Sequence, residues 1–172
     1  MRVLSLLTLT FVLAACATAP AGNGAASGSS NTATATQTQS FVAALEAKRG
    51  SALTLAERLQ VQGLTGTAKV GLNNAQNNFL NKVGTQVGLN GAVIAAMFPE
   101  AGKPLSENAA VAKIESSLGK KLTVADQTAV KAATALRNNS LASLKTGLAA
   151  SIGSRIGMST DIVLALMPML GL

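Results

Sequence analysis

The sequence predicts an all-α fold, and three observations predict it. Apolar residues recur at helical spacing, as in Leu72, Ala75, Phe79, Val83 and Val87, and again in Leu141, Leu144, Leu148, Ile152 and Ile156. Each set lines one face of a helix. Hydroxyl residues stand three positions before an acid at Thr54 and Glu57, and at Thr123 and Asp126. That is the spacing of a capping box, with aspartate the shorter version. Finally, no stretch alternates β-branched residues over a strand's length, so no sheet is expected.

From the N-terminus, Arg2 supplies a positive charge, residues 3–13 are apolar or small hydroxyl residues, and Leu13-Ala14-Ala15-Cys16 follows. A charged start, a short apolar core and small residues before a cleavage point form a secretory signal peptide. The run is too short to span a bilayer, which takes about 20 residues. Leu13-Ala14-Ala15-Cys16 resembles the bacterial lipobox residue for residue, and Cys16 is the only cysteine. That resemblance implies removal of residues 1–15 by cleavage between Ala15 and Cys16, thioether lipidation of Cys16 and acylation of the new N-terminus. With Ala17 rather than aspartate next, the pattern resembles lipoproteins sent to the periplasmic face of the outer membrane. A lone cysteine leaves no internal disulfide.

Residues 16–39 carry no charge and no large aliphatic side chain. Such a segment buries too little surface to offset its conformational entropy, and reads as a flexible tether with a reach of about 25 Å.

The remainder divides into two units, residues 40–103 and 104–172. Residues 41–102 align with 110–171 at a constant offset of 69 without a gap, giving 15 identities in 62 pairs. Glu46 falls on Glu115, Gly50 on Gly119, Gly88 on Gly157, Pro99 on Pro168 and Gly102 on Gly171. A tandem duplication is the reading. Gly50 and Gly119 suit left-handed positions ending a first helix. Asn90 and Ser159 suit caps of a last short helix, which Pro99 and Pro168 end or kink. Each unit is therefore expected to hold about four helices. A unit this small stands near the limit for independent stability, so the two are expected to share one core. The apolar C-terminal stretch from Ile162 to Leu172 is expected to bury against the first unit or a partner.

Chemistry is sparse. There is no histidine, which removes the commonest general base and metal ligand. Ser117-Leu-Gly-Lys120, Ser106-Glu-Asn108 and Lys145-Thr-Gly147 match the S-x-x-K, S-x-N and K-T-G elements of penicillin-binding enzymes. That chemistry needs the serine at a helix start and K-T-G on a sheet edge. Here Ser117 ends a helical stretch and Lys145 lies within another. The repeated acids Glu46 with Glu115 and Glu57 with Asp126 read as helix surface and caps rather than as an acid–base pair. Met158, Met167 and Met169 are soft ligands for copper(I), yet methionine at such positions usually fills a core. Asn73, Asn74, Gln76, Asn77 and Asn78 offer amides suited to glycan contact, yet read first as the solvated side of a helix. No enzyme, cofactor or metal site is expected.

Beyond the signal, thirteen Lys and Arg stand against seven Asp and Glu. Without clustered basic residues or Trp and Tyr, nucleic acid is not an expected partner. The membrane through the lipid, an envelope protein, a cell-wall polymer or a lipid are the expected partners. Residues 156–170, Ile-Gly-Met-Ser-Thr-Asp-Ile-Val-Leu-Ala-Leu-Met-Pro-Met-Leu, resemble a stretch in small bacterial helical families of unknown function, of the YidB-like and VcgC/VcgE types. The functional expectation is a non-catalytic envelope lipoprotein with a helical partner-binding or structural domain. The alternatives are a carrier for apolar ligands or lipids, and a membrane-active helical protein.

Overall fold

The structure is a computed structural model that describes residues 28–172, with side chains described from residue 35. Its elements are α1 (Gly28–Arg49), α2 (Leu55–Val87), α3 (Gly91–Met97), α4 (Glu107–Leu118), α5 (Val124–Ile156), α6 (Thr160–Leu166) and a 3-10 turn, Met167–Leu170. No strand occurs among the described residues. The chain is all-α.

The helix signals act where the sequence puts them. Thr54 caps α2, with Glu57 N–H donating to its hydroxyl and Thr54 N–H donating to the Glu57 carboxylate at 2.7 Å. Thr123 caps α5 through Asp126 N–H at 3.1 Å. Asn90 caps α3 by accepting from Ala92 N–H, whereas Ser159 occupies the equivalent position without a side-chain cap bond. Gly88 and Gly157 end the long helices at φ 68° and 69°, a backbone region costly for any residue with a Cβ.

Three expectations are corrected. Each unit holds three α-helices rather than about four, because α2 and α5 each run unbroken for 33 residues. Interior glycines at 63, 66 and 71 do not break α2. Each costs about 1 kcal/mol against alanine, but Gly71 lies against Leu144 of α5, where a Cβ would come within 2.8 Å of the leucine's Cδ2. Second, the segment assigned to the tether is helical from Gly28 onward. Once Phe41, Val42 and Leu45 fix the end of α1 in the core, each preceding residue adds a hydrogen bond at little cost, and no glycine or proline follows Gly28 to stop it. Residues 16–27 and the signal segment lie outside the described residues.

Third, the described residues form two cores, not one. α2 and α5 pack antiparallel: Gly71 meets Leu144, Gln76 meets Arg137 and Gln86 meets Asp126, so partners fall along α5 as positions rise along α2. At one end, Phe41, Leu45, Leu53 and Val61 of the first unit pack with Ile152, Ile156, Val163 and Met167 of the second. At the other, Phe79, Val83, Ile94 and Phe98 of the first pack with Val111, Ile114, Leu122 and Val130 of the second. Each core therefore takes one half of each unit. Of the two expectations for the apolar C-terminus, the structure shows burial against the first unit, with Leu170 and Leu172 in the same cluster as Phe41 and α1 packed on the 3-10 turn.

The element boundaries recur at the offset of 69. Leu55–Val87 becomes Val124–Ile156, and Gly91–Met97 becomes Thr160–Leu166. Pro99 follows the C-cap of α3, while Pro168 opens the 3-10 turn instead.

Candidate functional site

The two long helices create the features that could carry function: shallow grooves between them, and a buried polar knot at mid-length.

One groove, about 550 Å³ and open to solvent, has Asn81, Lys82, Thr85 and Gln86 of α2 on one wall and Ala129, Ala132, Ala133 and Leu136 of α5 on the other. Its walls differ because α2 presents its polar side there and α5 a run of small apolar residues. Leu136 remains 51% exposed. A second groove of about 320 Å³ lies toward the other end, between Leu64, Thr67 and Ala68 of α2 and Leu144, Gly147 and Leu148 of α5. It is the more apolar of the two. Neither encloses its contents, unlike pockets that bury most of a small ligand.

The polar knot centres on Arg137, which is 3% exposed. Its Nε donates to Gln76 Oε1 at 2.6 Å, Nη1 to the Lys103 carbonyl at 2.9 Å, and Nη2 to the carbonyls of Glu100 and Ala101 at 2.7 and 2.9 Å. The guanidinium also lies 5.7 Å from the centre of the Phe79 ring. Gln76 Nε2 donates to the Phe98 carbonyl, and Asn138 exchanges two hydrogen bonds with the Leu105 backbone. All these carbonyls belong to residues 98–105, the connector between the units. Burial lowers the arginine's pKa from its ordinary value, yet guanidinium stays protonated in proteins. Carbonyl and amide oxygens, rather than a carboxylate, hold this charge.

In sequence Gln76 belongs to the amide run that reads as solvated, and Arg137 stands in no motif. The signal was present: Gln76 follows Leu72 by four, and Arg137 precedes Leu141 by four, so each sits on its helix's apolar face. The amide run is corrected accordingly. Asn73, Asn74, Asn77 and Asn78 are exposed, but Gln76 is buried.

The repeated acids work as local braces. Glu46 Oε1 accepts from Leu53 N–H at 2.9 Å and from Arg58, and Glu115 Oε1 accepts from Leu122 N–H at 3.1 Å and from Gln127. Glu115 is buried rather than on the helix surface. The Leu53 N–H holds the Glu46 carboxyl below its ordinary pKa, and the Lys121 ammonium, then the Leu122 N–H, do so for Glu115. Glu57 is lowered to about 2, chiefly by the Thr54 N–H and then by Arg49. Gln86 above all holds Asp126 low. Each carboxylate is thus committed to a turn between helices.

The other sequence candidates do not converge. Ser106 caps α4 through Ala109 N–H, Ser117 is exposed near the end of the same helix, and Lys145 lies within α5. Met167 is buried in the first core, Met158 packs against that core, and Met169 is 39% exposed. No group of three or more His, Cys, Asp or Glu among the described residues is placed to hold a metal ion. No helix among them is long and apolar enough to cross a membrane. Cys16 and Ala15 lie outside the described residues.

Comparison with family models, with curated proteins and with solved structures finds no match for this chain.

Proposed function

We propose that this chain is a lipid-anchored envelope lipoprotein without catalytic activity, whose helical domain binds a partner at the periplasmic face of the outer membrane. The observation that carries the reading is Leu13-Ala14-Ala15-Cys16 closing a short apolar segment. Residues 1–15 are the signal peptide, and Cys16 carries the lipid and acyl chains. A protein or cell-wall polymer is the partner. The repeated carboxylates Glu46, Glu57, Glu115 and Asp126 are engaged in the fold, which supports binding over turnover. The groove between Lys82 and Leu136, with one polar and one apolar wall, is the surface such a partner would use. The domain arose by tandem duplication. Recurrence of element boundaries at the offset of 69, and of the Glu46 and Glu115 braces, supports this.

Intact mass and membrane fractionation of the wild type and Cys16→Ser in a Gram-negative host test the anchor. The expected result is a diacylglyceryl-sized mass gain, lost with membrane association in the variant. A cleaved, unlipidated and soluble wild type would overturn the reading.

One observation favours a second reading, a carrier for apolar ligands: the groove lined by Leu64, Ala68, Leu144 and Leu148 lies between the units. Its openness favours docking over sequestration. Thermal shift with fatty acids and phospholipids separates the two, because a carrier is stabilised by its ligand.

A further inference from the structure

The structure makes each core from both units and joins the units by residues 98–106 alone. If two copies of the chain exchanged their second units, both cores would re-form with the same residues. The packing of Phe41 against Ile156 and Met167, and of Phe79 and Phe98 against Val111 and Ile114, would be kept across chains. What would change is the connector. It holds Pro99 and Pro104, and it is seated by the Arg137 bonds to the carbonyls of Glu100, Ala101 and Lys103, by Gln76 on Phe98 and by Asn138 on Leu105. Gly102 is pressed so closely on Gly171 that a Cβ there would overlap the Gly171 carbonyl. Of these, the Arg137 bonds to the connector carbonyls and the Gly102 contact exist only while the connector folds back at mid-length of the long helices, whereas Gln76 on Phe98 and Asn138 on Leu105 each stay within one unit.

We infer that residues 98–106 are a hinge for exchange of the second unit between two copies of this chain, and that Arg137, through its bonds to the connector carbonyls, is the latch that holds the exchange closed. Exchange of identical elements is a low-cost route to dimers because it creates few new contacts. Here the difference between the closed monomer and the exchanged dimer is concentrated in the connector. In the first unit, the position equivalent to Arg137 is Ala68, which has no hydrogen-bonding side chain. Arg137 therefore serves the connector, not the shared helical pattern. This inference does not depend on the lipid anchor or on the groove.

The test uses full-length chains carrying Cys16→Ser, which are otherwise free of cysteine. One chain also carries Gly71→Cys and the other Leu144→Cys. A Cβ on Gly71 lies 2.8 Å from Leu144 Cδ2, which puts the pair within reach of a disulfide. In closed monomers the two cysteines never meet, whereas in an exchanged dimer they do. Mixed at high concentration and oxidised, the pair with an intact latch should give a trace of cross-linked dimer. Adding Arg137→Met to both chains should raise that yield on the order of tenfold or more, since each hydrogen bond from a charged donor is worth about such a factor. Light scattering should then report a dimer mass. Folded monomers with no cross-link, dimers lacking the 71–144 bond, or a wild-type yield equal to the variant's would overturn the inference. Should circular dichroism find Arg137→Met unfolded, deletion of residues 100–103 decides. A dimer bearing the cross-link supports exchange, and any product without it overturns it.

Discussion

The two cores are built from equivalent positions but are closed differently. The core that holds Phe41 and Ile152 is sealed by the apolar end of the chain, where Met167, Leu170 and Leu172 pack directly on α1. The core that holds Phe79 and Val130 continues instead into the connector, where the backbone must turn and carry its carbonyls close to apolar surface. Arg137 and Gln76 answer that need. One pattern of helices therefore tolerates two endings: aliphatic where the chain stops packing, and polar where a loop has to be buried. A buried backbone polar group needs a partner, and here the long helices reach out to supply it.

Breaking the two cores at equivalent positions should give the largest effects. Phe79→Ala is expected to cost about 3–5 kcal/mol and Leu148→Ala about 2–5 kcal/mol in urea unfolding, since both remove buried side chains. The phenylalanine should cost more, because it also loses its edge-on contact with Phe98 at 5.4 Å. Equal losses would argue against aromatic packing as a difference between the cores. Next is the latch. Arg137→Ala leaves three connector carbonyls without their donor, and about 3 kcal/mol is expected, against about 1 kcal/mol or less for Ala68→Gly at the equivalent site. A loss at Arg137 no larger than at Ala68 would remove the asymmetry.

The caps give a smaller comparison. Thr54→Ala and Thr123→Ala should each cost about 1 kcal/mol. Thr123 should cost more, because its hydroxyl both accepts from the Asp126 N–H and donates to the Asp126 carboxylate at 2.7 Å, whereas the bond from the Thr54 N–H to Glu57 is a backbone bond that alanine keeps. Thermal melts of the two variants side by side measure the difference.

Acid should act at both ends of the molecule. Glu46, Glu57, Glu115 and Asp126 all have folded-state pKa values below their ordinary ones. A carboxylate so lowered adds stability above its unfolded pKa and loses it as pH falls toward the folded value. Stability should therefore decline from about pH 4.5, the ordinary glutamate value, toward about pH 2, where Glu57 titrates. Glu57→Gln should flatten part of that decline in a series of urea midpoints. A profile unchanged by the substitution would show that its brace does not contribute.

The local signals were legible because they rest on chemistry between near neighbours in the chain. The threonine caps, the glycines at 50, 88, 119 and 157 and the apolar stripes all act within a turn or two of themselves. The unbroken length of α2 was not legible. Its glycines disfavour helix locally, and packing against α5 outweighs them. The buried polar side chains were only half legible: spacing puts Gln76 and Arg137 on apolar faces, but nothing nearby in sequence names the connector carbonyls they bind.

By itself, then, the sequence determined the all-α character of the described residues, the capped starts and glycine ends of α2 and α5, and the recurrence of these signals at an offset of 69. Those follow from dihedral preference, capping and periodicity, which are local. Only the tertiary structure decided that the halves cross over to build two cores, and that a buried cation closes the loop between them. Both are consequences of solvent exclusion between segments more than 60 residues apart, such as Gln76 and Arg137, which no local preference encodes.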